Sequence, residues 1–197
     1  AARRSAPEED MITFLTTVEY SPLNRKLTDA EINGIVYAMV IGGLETTQYA
    51  LAEQVQLVIE KHAVWQALKA DKRKVRAFTE EGMRLRAPTQ GLSTRTTSQE
   101  EVFQGVAVPK GSFLHMRWAA ANIDPLEWDD PTELKLDRKA GTRHLTFSQG
   151  ARVCPGASLS RLEQVEAWNA LIDRIDHFEY AQDNTFTHQP GIMLGIT

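Results

Sequence analysis

The residue best placed to do chemistry is Cys154, the only cysteine among 197 residues. It sits in the loop Phe147-Ser148-Gln149-Gly150-Ala151-Arg152-Val153-Cys154-Pro155-Gly156. A lone cysteine cannot form an internal disulfide. An apolar, helix-like stretch with Leu159, Leu162, Val165 and Ala167 follows, so the thiol lies at a helix entrance. There the partial positive charge and free N–H groups favour the thiolate, which is the nucleophile and the metal ligand. Pro155 suits the first helical position, where its missing N–H costs nothing. Gly150 and Gly156 let the backbone approach something flat and large. The bland alternative is a buried, inert cysteine, the usual fate of a free thiol.

A second unusual segment is Gly42-Gly43-Leu44-Glu45-Thr46-Thr47. It falls in the middle of a long helical pattern that opens at the capping box Thr28-Asp29-Ala30-Glu31 and runs to about Lys61. Ile32, Ile35, Val36, Met39 and Val40 give that helix its expected core face. Each glycine inside a helix costs about 1 kcal/mol relative to alanine. Two of them before two threonines imply local loosening. Glycine leaves room for a planar group, and threonine can bond a carbonyl one turn back or turn its hydroxyl to a ligand. Close packing against another helix is the plain alternative.

A third element is Glu81-Gly82-Met83-Arg84, an acid and a base one turn apart on a helix ending before Pro88. Alone, such a spacing describes a surface ion pair worth a few tenths of a kcal/mol.

The cysteine loop resembles the haem-binding loop of the cytochrome P-450 family, the haem-thiolate monooxygenases. That pattern is Phe, two residues, Gly, one residue, Arg or His, one residue, Cys, one residue, then Gly or Ala, and each position is filled here. The segment at 42–46 resembles the family's oxygen-binding motif, Ala/Gly-Gly-x-Asp/Glu-Thr. Glu81-x-x-Arg84 resembles its obligatory Glu-x-x-Arg, lying 34 residues after Thr47 and 73 before Cys154.

The resemblance implies roles. Cys154 would be the axial ligand of a haem b iron. Glu45 would relay protons, and Thr46 would hold a hydrogen bond beside bound dioxygen, with Gly42 and Gly43 making room. Arg152 and Arg95 would meet the propionates, Arg95 being equally at home as an exposed strand residue. Phe147 would shield the sulfur. Arg138 would complete a buried triad with Glu81 and Arg84 that locks the cysteine loop. Ala38, Ile41, Thr89, Leu92 and Ile192 would line an apolar substrate pocket, or serve as plain core.

The implied reaction inserts one oxygen atom of dioxygen into a small, largely apolar organic substrate. Electrons would come ultimately from NAD(P)H through a ferredoxin or flavoprotein reductase. Two alternatives stay open: a non-catalytic haem-binding or auxiliary half-protein, and a peroxide-dependent haem-thiolate peroxygenase, against which the Glu45-Thr46 pair argues. Lys72, Arg73, Lys74 and Arg76 form a basic run that is either a solvated face or a docking patch for an acidic electron donor.

The remaining elements frame these residues. Ser5-Ala6-Pro7-Glu8 reads as a capping box opening a helix with Met11, Ile12, Leu15 and Val18 on one face. A short helix spans 62–69. Extended runs at 102–103, 106–108 and 113–116 predict a small antiparallel sheet. A helix follows Cys154 to about His177, and the segment from Phe186 to Thr197 resembles the family's last hairpin, whose tip enters the substrate pocket. The expected fold is mainly α with small antiparallel β-sheets, the C-terminal part of the cytochrome P-450 fold, over residues 1–197. Family members are roughly twice as long, so an N-terminal half preceding Ala1 is expected to be missing, and it is a candidate partner as a separate chain.

Hydrophobic residues make up 42% of the chain, enough for a core. Net charge is −4. No basic stripe interleaved with aromatics suggests nucleic-acid binding. No apolar run is long enough to span a bilayer, and no secretory leader is visible. Together with the single cysteine, these features predict a cytoplasmic protein with no membrane and no nucleic-acid partner.

Overall fold

The computed structural model describes residues 2–92, 94–138, 143–185, 187–188 and 191–196. The chain divides into two compact units, Ala1–Glu45 and Thr46–Thr197.

In the first unit, α1 (Ala2–Ser5) and α2 (Met11–Thr17) precede a hairpin of β1 (Glu19–Tyr20) and β2 (Arg25–Lys26), then α3 (Asp29–Leu44). The Thr28 capping box is complete. Thr28 accepts from the Glu31 N–H, and the Glu31 carboxylate accepts from the Thr28 N–H. The box expected at Ser5 does not form. Ser5 Oγ donates to the Ala2 carbonyl, and Asp10 caps α2 by accepting from the Thr13 N–H.

The face expected to be core on α3 is also corrected. Ile32 is buried, but Ile35, Met39 and Val40 are exposed, as are Tyr37, Ile41 and Leu44. Apolar residues go all round this helix, a pattern otherwise found in helices buried on every side.

The single long helix predicted through Lys61 is interrupted at one residue. Glu45 (φ −108°, ψ −39°) separates α3 from α4, Thr46–Glu60. The loosening implied by the paired glycines therefore ends in a break.

The second unit is built on α4, α5 (His62–Ala70), α6 (Val75–Leu85) and α8 (Ala157–Arg174), with α7 (Trp118–Ala121) between the last two. Val58, Trp65, Leu68, Val75, Phe78, Trp168 and Ile172 form its core. Phe78 and Trp168 meet edge to face at 4.9 Å, and Trp65 meets Phe178 so at 5.0 Å. Polar atoms in this core are paired: Trp168 Nε1 donates to Gln54 at 2.6 Å, and Gln54 Nε2 to Gln164 at 2.5 Å. Gly82 on α6 is required by this pairing, because a Cβ there would stand 2.6 Å from the Gln54 side chain.

The expected small sheet is two separate antiparallel pairs. β3 (Thr94–Thr96) pairs with β6 (Phe113–His115), and β4 (Glu101–Phe103) with β5 (Val106–Val108). The turn Gln104-Gly105 carries two positive φ angles, 48° and 83°, which suits a tight hairpin. Helix α8 stops at Arg174, a turn earlier than predicted. Phe186 and Thr197 lie outside the described residues. Among the described residues, no helix is long and apolar enough to cross a membrane.

Candidate active site

Helix α6 positions the site. Its residues from Phe78 to Arg84 are all buried, although Glu80, Glu81 and Arg84 are among them. Burial of a charge is tolerable only when partners replace the lost water. The structure supplies them on two fronts.

On the first, it brings Glu81, Arg84 and Arg138 together. Arg84 reaches Glu81 through Nε at 2.7 Å and Nη2 at 3.0 Å, and Arg138 Nε donates to Glu81 Oε1 at 3.0 Å. The Lys135 N–H adds a bond to Glu81 Oε2 at 3.1 Å. The remaining guanidinium donors capture backbone carbonyls. Arg84 takes those of Asn122, Pro131 and Glu133, and Arg138 those of Asp129, Asp130 and Glu133. Both guanidiniums stand over Trp128, at 5.0 and 5.8 Å from the ring centre.

On the second front stands Glu80, which the sequence reading missed. Its carboxylate accepts from Arg161 Nε at 2.7 Å and lies 2.9 Å from His144 Nε2. The Thr146 N–H donates to His144 Nδ1, so Nε2 carries the proton that faces Glu80. Arg161 also lies over Phe147, 4.5 Å from its centre. A Glu-Glu pair reads as a solvated helix face. The available signal was the hydrogen-bonding side chains flanking the cysteine motif, His144 before it and Arg161 after it.

The cysteine loop rests on these braces. Thr146 Oγ1 donates to the Met83 carbonyl at 2.8 Å, while Asn122 donates to Thr146 Oγ1 at 2.9 Å and accepts from the Leu145 N–H at 2.6 Å. The Cys154 N–H donates to the Phe147 carbonyl at 2.9 Å, closing the loop. The Cys154 thiol is exposed, unlike an inert core cysteine. Pro155 lies outside the helix it was expected to begin. Ala157 bonds the Cys154 carbonyl at 3.3 Å in a turn, Gly156 is the N-cap and Ala157 the first helical residue. Proline fits that turn as its second residue.

A Cβ at Gly156 would meet only the thiol, at 3.8 Å, and one at Gly150, Gly42 or Gly43 would meet nothing within 4 Å among the described residues. Gly150 has φ 76° and Ser148 φ 61°. The second is a serine held in the left-handed region.

Arg152 and Arg95 are exposed, and neither forms an ion pair among the described residues. Glu45 is exposed, and Thr46 opens α4. Next to it, Thr47 Oγ1 lies 3.0 Å from Ser160 Oγ, tying the first turn of α4 to the first turn of α8.

Thr89 and Ile192 come together. Thr89 pairs with Met193, the Gln90 N–H donates to the Ile192 carbonyl at 2.6 Å, and the Leu194 N–H to that of Pro88 at 2.7 Å. Leu92, Ala38 and Ile41 are exposed. In the basic run, Lys72 pairs with Asp173 and Arg73 with Asp71.

A mainly helical chain with small antiparallel pairs and an exposed thiol loop above a buried charge cluster defines the class. The cytochrome P450 family model matches residues 2–194, and the chain belongs to that family. It is 32% identical over 197 residues to the erythromycin C-12 hydroxylase of Saccharopolyspora erythraea, covering 99% of this chain and 49% of that protein. It is 28% identical to the steroid C26-monooxygenase of Mycolicibacterium smegmatis, covering 96% and 46%. Among solved structures it superposes on a Bacillus megaterium cytochrome P450, CYP109E1 in complex with testosterone. There the TM-score is 0.93 and the identity 27%, covering 99% of this chain and 53% of that one. The chain thus spans about half the length of the proteins it matches.

Two predictions follow from the site's geometry. Burial would raise the Glu80 and Glu81 carboxyls. For Glu80 the hydrogen bonds of His144 and Arg161 with the Arg161 charge, and for Glu81 the hydrogen bonds of Arg84, the Lys135 N–H and Arg138 with the Arg84 charge, outweigh it and hold both below the ordinary value. Their stabilisation is therefore fully present above about pH 4.3 and lost as pH falls through the lowered folded values. Denaturant titrations between about pH 7 and about pH 3 should show stability falling at the acid end, and a rise there contradicts the account. Ser148→Gly should relieve the left-handed backbone and stabilise by about 0.5–1 kcal/mol in the same assay.

Proposed function

We propose that this chain is the haem-binding portion of a monooxygenase that inserts one oxygen atom of dioxygen into a small, largely apolar organic substrate. The observation that carries the reading is an exposed Cys154 thiol on a loop braced from beneath by buried charge. A hydroxylase and a monooxygenase among its relatives support it.

The residues fit a haem. The donor set is one soft sulfur with open space at its flanking glycines and two exposed arginines without ion-pair partners among the described residues. Cys154 would supply the sulfur that holds the iron, Arg152 and Arg95 would meet the propionates, and Phe147 would shield the sulfur. When bound, a thiolate-ligated haem would supply an electron-rich iron that favours O–O cleavage.

The chain's own residues would manage protons and water. Thr46 would hold a hydrogen bond at the oxygen-binding position, in the N-terminal turn of α4. Glu45, exposed, would carry protons from solvent to it. Gly42 and Gly43 would leave room for dioxygen. Ala38, Ile41, Thr89, Leu92 and Ile192 would present apolar surface to the substrate and exclude water. Electrons would arrive from NAD(P)H through a ferredoxin or flavoprotein. The internal pairing of Lys72 and Arg73 leaves Lys74 and Arg76 as the cations available to an acidic donor.

The test is the visible spectrum of the protein supplied with haem, reduced, and exposed to carbon monoxide. The expected result is the red-shifted Soret band of a thiolate-bound ferrous haem, abolished in Cys154→Ser. A bound haem lacking that shift, or a shift that survives Cys154→Ser, overturns the assignment.

A further inference from the structure

Helix α4 carries a buried carboxylate that the proposed chemistry does not use. Glu53 has no solvent exposure. Its Oε1 lies 2.9 Å from His188 Nε2, and its Oε2 lies 3.9 Å from an Arg86 guanidinium nitrogen. Arg86 is shared with Glu60, at 3.2 Å. Burial pushes the Glu53 carboxyl up, and the charges of His188 and Arg86 only partly reverse this. Loss of His188 would leave a buried acid facing, among the described residues, a more distant cation and the Glu60 that shares it.

His188 is the entry to the C-terminal segment and pairs with Ile196 across it. One turn before Glu53, Tyr49 packs against the same segment. A Cβ at Gly195 would stand 2.7 Å from the Tyr49 ring, so only glycine allows this approach. Tyr49 and Glu53 are i and i+4, hence on one face of α4. The segment is thus held along that face at its base, and Ile192 to Leu194 are bonded across to Pro88 and Gln90 at its tip.

We propose that Glu53 and His188 are a positioning pair that docks the C-terminal segment on α4 and thereby places Ile192 beside Thr89, fixing one wall of the substrate pocket. That this wall faces substrate rests on the reading given under Proposed function. The docking does not, and its test needs neither haem nor substrate.

The test is amide hydrogen exchange at Gln90 and Leu194, whose N–H groups make the cross-connections, in a double-mutant cycle. Glu53→Gln and His188→Ala should each speed exchange at both amides by about tenfold. The double variant should add little to either, because both remove one interaction. His188→Lys, which places a cation at the position, should restore protection. His188 is partly exposed, so its variants leave the aromatic core intact, with the Trp65 and Trp168 near-ultraviolet signals as the check. Unchanged exchange in His188→Ala, additive effects in the double variant, or no recovery with His188→Lys would each overturn the pairing.

Discussion

Two adjacent carboxylates, Glu80 and Glu81, are the constraint on which the cysteine loop depends. Both are buried on α6, and neither could remain there charged without partners. Successive helical residues point about 100° apart, so the pair serves two different neighbourhoods. Glu81 gathers Arg84, Arg138 and the backbone of 129–135, while Glu80 gathers His144 and Arg161 on either side of the cysteine motif. A helix that looks solvated by composition is thereby locked into the interior.

The consequence is a thiol both exposed and fixed. Asn122 joins the two fronts, since its carbonyl accepts from Arg84 and its side chain binds Leu145 and Thr146. Thr146 in turn is bonded to α6, and the loop closes on itself through Cys154 and Phe147. A reacting ligand needs accessibility, which ordinarily comes with mobility. Here satisfied buried charge supplies the rigidity that side-chain packing around an exposed cysteine cannot.

Legibility in the sequence followed the range of the interactions. The Thr28 capping box was readable because both of its bonds span three residues. The same pattern at Ser5 failed because the Glu8 N–H goes instead to Thr13, and Asp10 offers a better cap. The main helices and the hairpin at Gln104-Gly105 were readable from periodicity and turn residues, whereas the β1–β2 hairpin, α7 and the break at Glu45 were not. The Glu81–Arg84–Arg138 cluster was legible only through the family resemblance, since the spacing alone equally fits a surface pair. Glu80 was not legible, because its partners lie 64 and 81 residues away. Nor were Glu53 and His188, whose meeting depends on how the C-terminal segment crosses α4. The apolar residues of α3 were read correctly as apolar, but their burial depends on neighbours that a periodicity cannot supply.

The most direct test of the central claim is amide exchange at Cys154 and Leu145 in Glu80→Gln and Glu81→Gln, measured near neutral pH beside the unaltered protein. These amides bond the Phe147 carbonyl and the Asn122 side chain, the two ends of the loop's support. If buried charge holds the loop, exchange at both should accelerate in either variant and by more than at the amides of α5, which the cluster does not touch. Loop amides as protected as in the unaltered protein, with the charge pairs broken, would show that packing alone shapes the loop.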